Sequence, residues 1–200
     1  MRFILASSSP ARLATLARAG ITAEVIRPDV DESAVRAASP AALTAELARL
    51  KAHEVLTRLA GQSGFTLVAC DSMLELDGIA WGKPETAQAA VERWRAIRGR
   101  TAILHSGHHV VVDDERGRRE VNRVGSTSVT FADLDDAEID AYVATGEPTR
   151  VAGAFAIDGI GGAFVTGISG DYHNVVGISL PLVRQMLLDL GVQWHQLWQR

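Results

Sequence analysis

Four short stretches carry residues suited to holding phosphate or activating water. The first runs Leu5-Ala6-Ser7-Ser8-Ser9-Pro10-Ala11-Arg12. An apolar run delivers Ser7 and Ser9 to the start of a helix, where free N–H groups and the positive dipole end attract phosphate. Arg12, one turn on, adds a guanidinium that can grip an anion with two N–H groups. The same pattern also reads as a plain cap, with Ser9 holding the helix end and Arg12 in solvent. The second stretch is Asp71-Ser72, directly after the apolar run 65–70. A carboxylate where a strand ends is placed to hold a metal or to take a proton from water, and equally to form a turn. Lys51, on a helical stretch, and Lys83, in Trp81-Gly82-Lys83-Pro84, complete the set. A single lysine is ordinarily a solvated charge. Several cations beside carboxylates that follow apolar runs point together toward phosphate chemistry.

Other chemistries find little support. Glycines 159, 161 and 162 are not followed by the lysine of a phosphate-binding P-loop, and the third glycine of a dinucleotide fingerprint is missing. Pro181 stands where a nucleophile elbow needs glycine. His105, His108 and His109 alternate across an extended strand, 105 and 109 on one side and 108 on the other. They cannot all meet one metal, so a structural or surface role is expected. With one cysteine, Cys70, the chain has no intrachain disulfide and no cysteine-based zinc cage.

The elements that must position these residues follow from caps and periodicity. An apolar run at 3–6 predicts a first strand, and Ser9-Pro10 starts a helix that Gly20 closes. Ser39-Pro40 repeats the cap for a second helix, with Leu43, Leu47, Leu50 and Val55 on its apolar face and Gly61 past its end. A strand at 65–70 ends at Asp71, Asp77-Gly78 makes a tight hairpin, and a third helix covers 87–98. Two long strands, 104–112 and 120–131, join through a polar turn at 114–118. Asp135 and Glu138 form a capping box. The segment 146–177 holds eight of the 18 glycines, which predicts binding loops around a short strand at 163–168. A helix over 179–190 closes the chain. Strands alternating with helices, then antiparallel strands, predict an α/β fold with a mixed central sheet and flanking helices.

The totals agree. With 200 residues, 47% hydrophobic and 22% charged, the chain can fill one sizeable core or two small lobes around a cleft. A net charge of −4 argues against holding long nucleic acid on a broad basic surface, yet permits a small anionic substrate. No stretch approaches the roughly 18 apolar residues of a membrane span. A cytoplasmic protein is expected.

Taken in order, these pieces resemble the Maf proteins, named for septum-formation inhibition and known as nucleotide pyrophosphatases. The matching segments are LASSSPAR at 5–12, DVDE at 29–32, LKA at 50–52, CDSM at 70–73, GKP at 82–84, EIDAYVATGEP at 138–148, AGAFAIDGIGGAFV at 152–165 and GDYHNVVGISLPL at 170–182. The resemblance implies a single elongated domain, two lobes around one cleft, similar to inosine triphosphate pyrophosphatases. It implies hydrolysis of nucleoside triphosphates between the α and β phosphates, with Asp71 as catalytic acid/base. Ser7, Ser9, Arg12, Lys51 and Lys83 would contact the phosphates. Glu32 with Asp71 would hold a divalent metal, Mg²⁺ or Mn²⁺, and a homodimer is expected. Three positions depart from the family's subgroups: Ala11 where many members have arginine, Ser72 where one type has threonine, and Asp158 where glutamine or glutamate is usual. These are the expected specificity positions. The alternative is a regulator of cell division that binds nucleotide without turnover.

Overall fold

The computed structural model describes residues 2–198, and its elements follow from local chemistry. Strand β1 (Arg2–Ala6) leads into helix α1 (Pro10–Arg18), whose N-cap Ser9 side chain accepts from the Arg12 amide. After the two-residue strand β2 (Glu24–Val25), helix α2 (Pro40–Arg58) starts in the same way, with Ser39 accepting from Ala42. Strand β3 (Phe65–Leu76) turns through Asp77-Gly78 into β4 (Ile79–Trp81). Both turn residues have positive φ, 52° and 79°, as a two-residue hairpin with right-handed strand twist requires. Helix α3 (Ala87–Ile97), strands β5 (Thr101–Asp114) and β6 (Gly117–Phe131), and helix α4 (Asp136–Ala144) follow, the last with the predicted capping box. The glycine-rich segment forms three short 3₁₀ turns, strand β7 (Val165–Ser169) and helix α5 (Tyr172–Val176). Helix α6 (Leu180–Asp189) and a last 3₁₀ turn, Trp194–Leu197, end the described chain.

The strands form one mixed sheet in the order β2-β1-β3-β5-β6-β7, with β4 attached to β3. β1 runs parallel to β2 and β3, and every other pair is antiparallel. Alternation along β3 divides the core. Leu67 and Ala69 pack with Ala52, Val55 and Leu56 of α2 on one face. Val68 and Cys70 pack with Leu16 of α1 and with Val183, Met186 and Leu187 of α6 on the other. A third cluster surrounds Trp94 at the far end, where Leu74, Leu104, Phe131 and Tyr142 meet. The Trp94 indole N–H donates to the Ala154 carbonyl at 2.8 Å, which satisfies its polar edge inside the core. No helix among the described residues is long and apolar enough to cross a membrane.

Three expected boundaries move. β3 does not stop at Asp71 but continues to Leu76, because β5 pairs with it from Phe65 to Glu75 and satisfies its backbone through the polar residues. The β5–β6 turn contains only residues 115 and 116, for the same reason. The strand expected at 163–168 begins at Val165, since Ile160–Phe164 is a 3₁₀ turn.

Candidate active site

The site begins as a gap in hydrogen bonding. On one edge β3 is paired with β5 throughout. On its other edge β1 covers β3 only as far as Ala69, opposite Ala6, and β4 covers it only from Leu74. Residues 70–73 are therefore left without a strand neighbour on that side, and Asp71 lies within the stretch. Asp71 is thus a mid-strand residue at an open section of edge, not the strand-end residue expected.

Lys51 reaches this gap from one face. It sits on α2, above the face that carries Ala69 and Asp71, and its Nζ lies 2.5 Å from Asp71 Oδ1 and 2.8 Å from Glu32 Oε1. The Lys51 and Asp71 side chains are only 12% and 10% exposed, whereas Glu32, on the loop before α2, is 47% exposed. Such shielded, charge-assisted contacts are short and strong. Asp71 Oδ2 is buried and has no partner. The helix comes this close because Gly107, opposite Asp71 in β5, has no side chain: a Cβ there would lie 2.1 Å from the Thr44 carbonyl oxygen of α2.

Arg12 reaches the gap from the other face. Its Nε donates to the Gly177 carbonyl at 2.8 Å, Nη1 to Cys70 O at 2.8 Å and Ser7 Oγ at 3.1 Å, and Nη2 to Ser72 Oγ at 3.0 Å. The Cys70 carbonyl is one that a longer β1 would have paired. A guanidinium has five N–H donors. Four are committed to the frame, and one on Nη2 remains for a ligand. Behind Ser72 the polar chain continues: its hydroxyl is 2.8 Å from Ser106 Oγ, which donates to the Asn174 carbonyl of α5 at 3.0 Å. Asn174 in turn donates to Leu104 O and Thr127 Oγ1. Its Oδ1 lies over Gly125, where a Cβ would come within 2.4 Å. Burial pushes the Cys70 thiol up to about 12, so this cysteine is no nucleophile.

The structure thus brings Ser7, Arg12, Glu32, Lys51, Asp71 and Ser72 into one constellation. Ser9 caps α1, and its amide donates to Ser7 Oγ. Ala11 is half-buried in the first turn of α1. Two expected residues are not tied into it. Lys83 is exposed, without a hydrogen bond or ion pair among the described residues. It lies two residues past the Leu74–Trp81 pair, and a continued register would set it level with Ser72. Asp158 is exposed in the glycine-rich segment and makes no hydrogen bond or ion pair among the described residues.

Sequence reasoning missed Ser106, Gly107 and Asn174. Gly107, a glycine inside an otherwise apolar and histidine-bearing strand, was the available signal, since such a glycine marks a close approach. It also missed how the glycine-rich segment is held. The Glu147 carboxylate accepts from the amides of Ile160 and Gly161 and from the Tyr142 hydroxyl. Burial would raise the Glu147 pKa, but the Tyr142 hydroxyl and the two amides outweigh it and hold the carboxyl below the usual range. All three histidines of β5 are buried: His105 bonds Glu75 and Ser126, His108 bonds Ser106 and Ser179, and His109 faces Glu120.

Known proteins resemble this chain along its full length. It is 56% identical to a nucleoside triphosphate pyrophosphatase of Cutibacterium acnes over 98% of this chain and 94% of that one. It is 52% identical to the protein of the same name from Salinispora tropica, over 100% of this chain and 88% of that one. The corresponding figures for Streptomyces coelicolor are 48%, 98% and 94%. Among solved structures, a nucleoside-triphosphatase (dITP/XTP pyrophosphatase) of Mycobacterium abscessus superposes with a TM-score of 0.45 at 20% identity, covering 95% of this chain and 98% of that one. The model of the Maf-like protein family matches residues 2–190, and the chain belongs to that family.

Proposed function

We propose that the chain is a nucleoside triphosphate pyrophosphatase, releasing a nucleoside monophosphate and diphosphate. The observation that carries this reading is Asp71: Lys51 locks one oxygen, and the other is buried and unpartnered beside the open edge of β3. An unsatisfied buried polar atom costs about 1–3 kcal/mol, more when charged, so a fold keeps one where a ligand, ion or water completes it. The family and the name shared by its relatives supply the substrate class.

Asp71 Oδ2 is the acceptor placed to orient a water and take its proton during attack on the α phosphorus. Lys51 holds the Asp71 carboxylate in one orientation and balances its charge. Glu32 and Asp71 would hold the divalent cation, Mg²⁺ or Mn²⁺, because carboxylate oxygens suit such hard ions. When bound, that ion supplies charge neutralisation on the polyphosphate and a more acidic water. The remaining Arg12 N–H, the start of α1 with Ser7 and Ser9, and Lys83 would share the phosphate charge. Lys83 would join only by turning in from beyond β4. Ala11, Ser72 and Asp158 would tune base preference. The protein would work as a homodimer in the cytoplasm.

The test is to incubate the purified protein with a panel of nucleoside triphosphates and Mg²⁺ or Mn²⁺ and to identify the phosphate released. Diphosphate in equal amount to monophosphate is expected. Orthophosphate would make it a general phosphatase, and binding without turnover would make it a regulator.

A further inference from the structure

A second group of ligand atoms lies on the same face of the sheet, away from Asp71. His53 is on α2, His109 on β5 and Glu120 on β6. Glu120 Oε2 stands 3.4 Å from Nε2 of His53 and 3.4 Å from Nε2 of His109. One ligand atom from each of the three residues can be chosen so that all lie within 4.8 Å of one another. A tetrahedral cation with bonds of about 2.0–2.1 Å to nitrogen and oxygen sets its ligand atoms about 3.3–3.4 Å apart, so two edges of the triangle already have that length. The imidazoles meet edge-on, with centroids 5.3 Å apart.

Hydrogen bonding accounts for only part of the cluster, through the long 3.4 Å contact between His109 Nε2 and Glu120 Oε2. His53 Nε2 and His109 Nδ1 are both buried without a hydrogen-bond partner. Arg49, on the same helix as His53, has its guanidinium held in a two-pronged contact by Glu46.

We propose that His53, His109 and Glu120 form a second metal site, suited to a borderline transition cation such as Zn²⁺. Two imidazoles and a carboxylate favour that class, whereas the oxygen pair Glu32 and Asp71 favours Mg²⁺ or Mn²⁺. The fourth position is left to water. Its three ligands come from three elements, so the bound ion ties α2 to β5 and β6. α2 carries Lys51 two residues before His53, and metal at this site steadies the helix that positions the candidate active-site lysine.

Calorimetric titration of chelator-treated protein with Zn²⁺ tests the proposal, together with the visible spectrum of the Co²⁺ form and the melting temperature with and without Zn²⁺. One equivalent of Zn²⁺ is expected for wild type and for Asp71→Asn, with a raised melting temperature and a four-coordinate Co²⁺ spectrum. His53→Gln and Glu120→Gln, both at partly exposed positions, are expected to lose at least about tenfold in Zn²⁺ affinity and to lose the thermal shift. No Zn²⁺ uptake by wild type would overturn the proposal. Uptake unchanged in both Gln variants would do the same, as would uptake abolished by Asp71→Asn, which would place the ion at the other site.

Discussion

At the scale of single residues, the site rests on the unequal treatment of the two Asp71 oxygens. Asp71→Asn keeps an amide oxygen for Lys51 but replaces the free acceptor by a donor. Turnover is expected to fall by roughly 10² to 10⁴ with the melting temperature retained, measured by diphosphate release and thermal denaturation. Near-normal turnover would remove Asp71 from the chemistry. Arg12 makes a different prediction. Its guanidinium closes the frame through Gly177, Cys70, Ser7 and Ser72 at once, which one ammonium cannot reproduce. Arg12→Lys is expected to lose about 1–3 kcal/mol of stability in denaturant titration, together with nucleotide hydrolysis. A variant as stable as wild type would show that the frame does not depend on this fork.

Among elements, the decisive contact is α2 against β5. Thr44 lies over Gly107, and Lys51 follows seven residues, about two helical turns, later on the same helix. In Gly107→Ala the methyl group would overlap the Thr44 carbonyl, and backbone cannot yield as a flexible side chain does. The helix must lift, which costs about 1–3 kcal/mol or more and carries Lys51 away from Asp71. Melting temperature and turnover are therefore expected to fall together. A loss of stability with turnover intact would show that the seat of α2 does not govern the lysine.

The whole molecule adds a pH dependence. His108 joins β5 to the start of α6: its Nε2 accepts from the Ser179 amide at 2.8 Å, and its Nδ1–H donates to Ser106 O at 2.9 Å. Burial first, and then the Arg12 charge, bring its pKa down to about 4. An unfolded histidine titrates near 6.5. As pH falls below about 6.5 the unfolded chain takes up a proton that the folded chain refuses, so stability drops by up to about 1.4 kcal/mol per pH unit. The drop ends near pH 4, where the folded form is protonated too. Denaturant titrations between pH 7 and pH 4.5 should show this slope in wild type and a shallower one in His108→Gln. Equal slopes would assign the acid sensitivity to other groups, of which His109, with a pKa lowered mainly by burial, is the first.

Local chemistry made much of this protein legible. Ser9-Pro10 and Ser39-Pro40 start helices through their own caps, Asp135 and Glu138 cap each other within one turn, and Asp77-Gly78 bends the chain tightly. Alternation alone put His105 and His109 on one side of β5 and His108 on the other, because a strand has a period of two. The constellation around Asp71 was legible as residue types in order, with its roles implied by the family resemblance. Pairing was not legible. β3 was read as ending at its first charged residue, because an apolar run is a signal of burial, whereas strand length is set by the partner that takes up the backbone hydrogen bonds. The sequence by itself determined the elements and the kinds of group available. Only the tertiary structure decided that β1 stops one residue before Ser7, that Gly107 admits α2, and that His109 meets His53 and Glu120. Each of these is a contact between segments far apart in the chain, where close packing, not local preference, sets the distance.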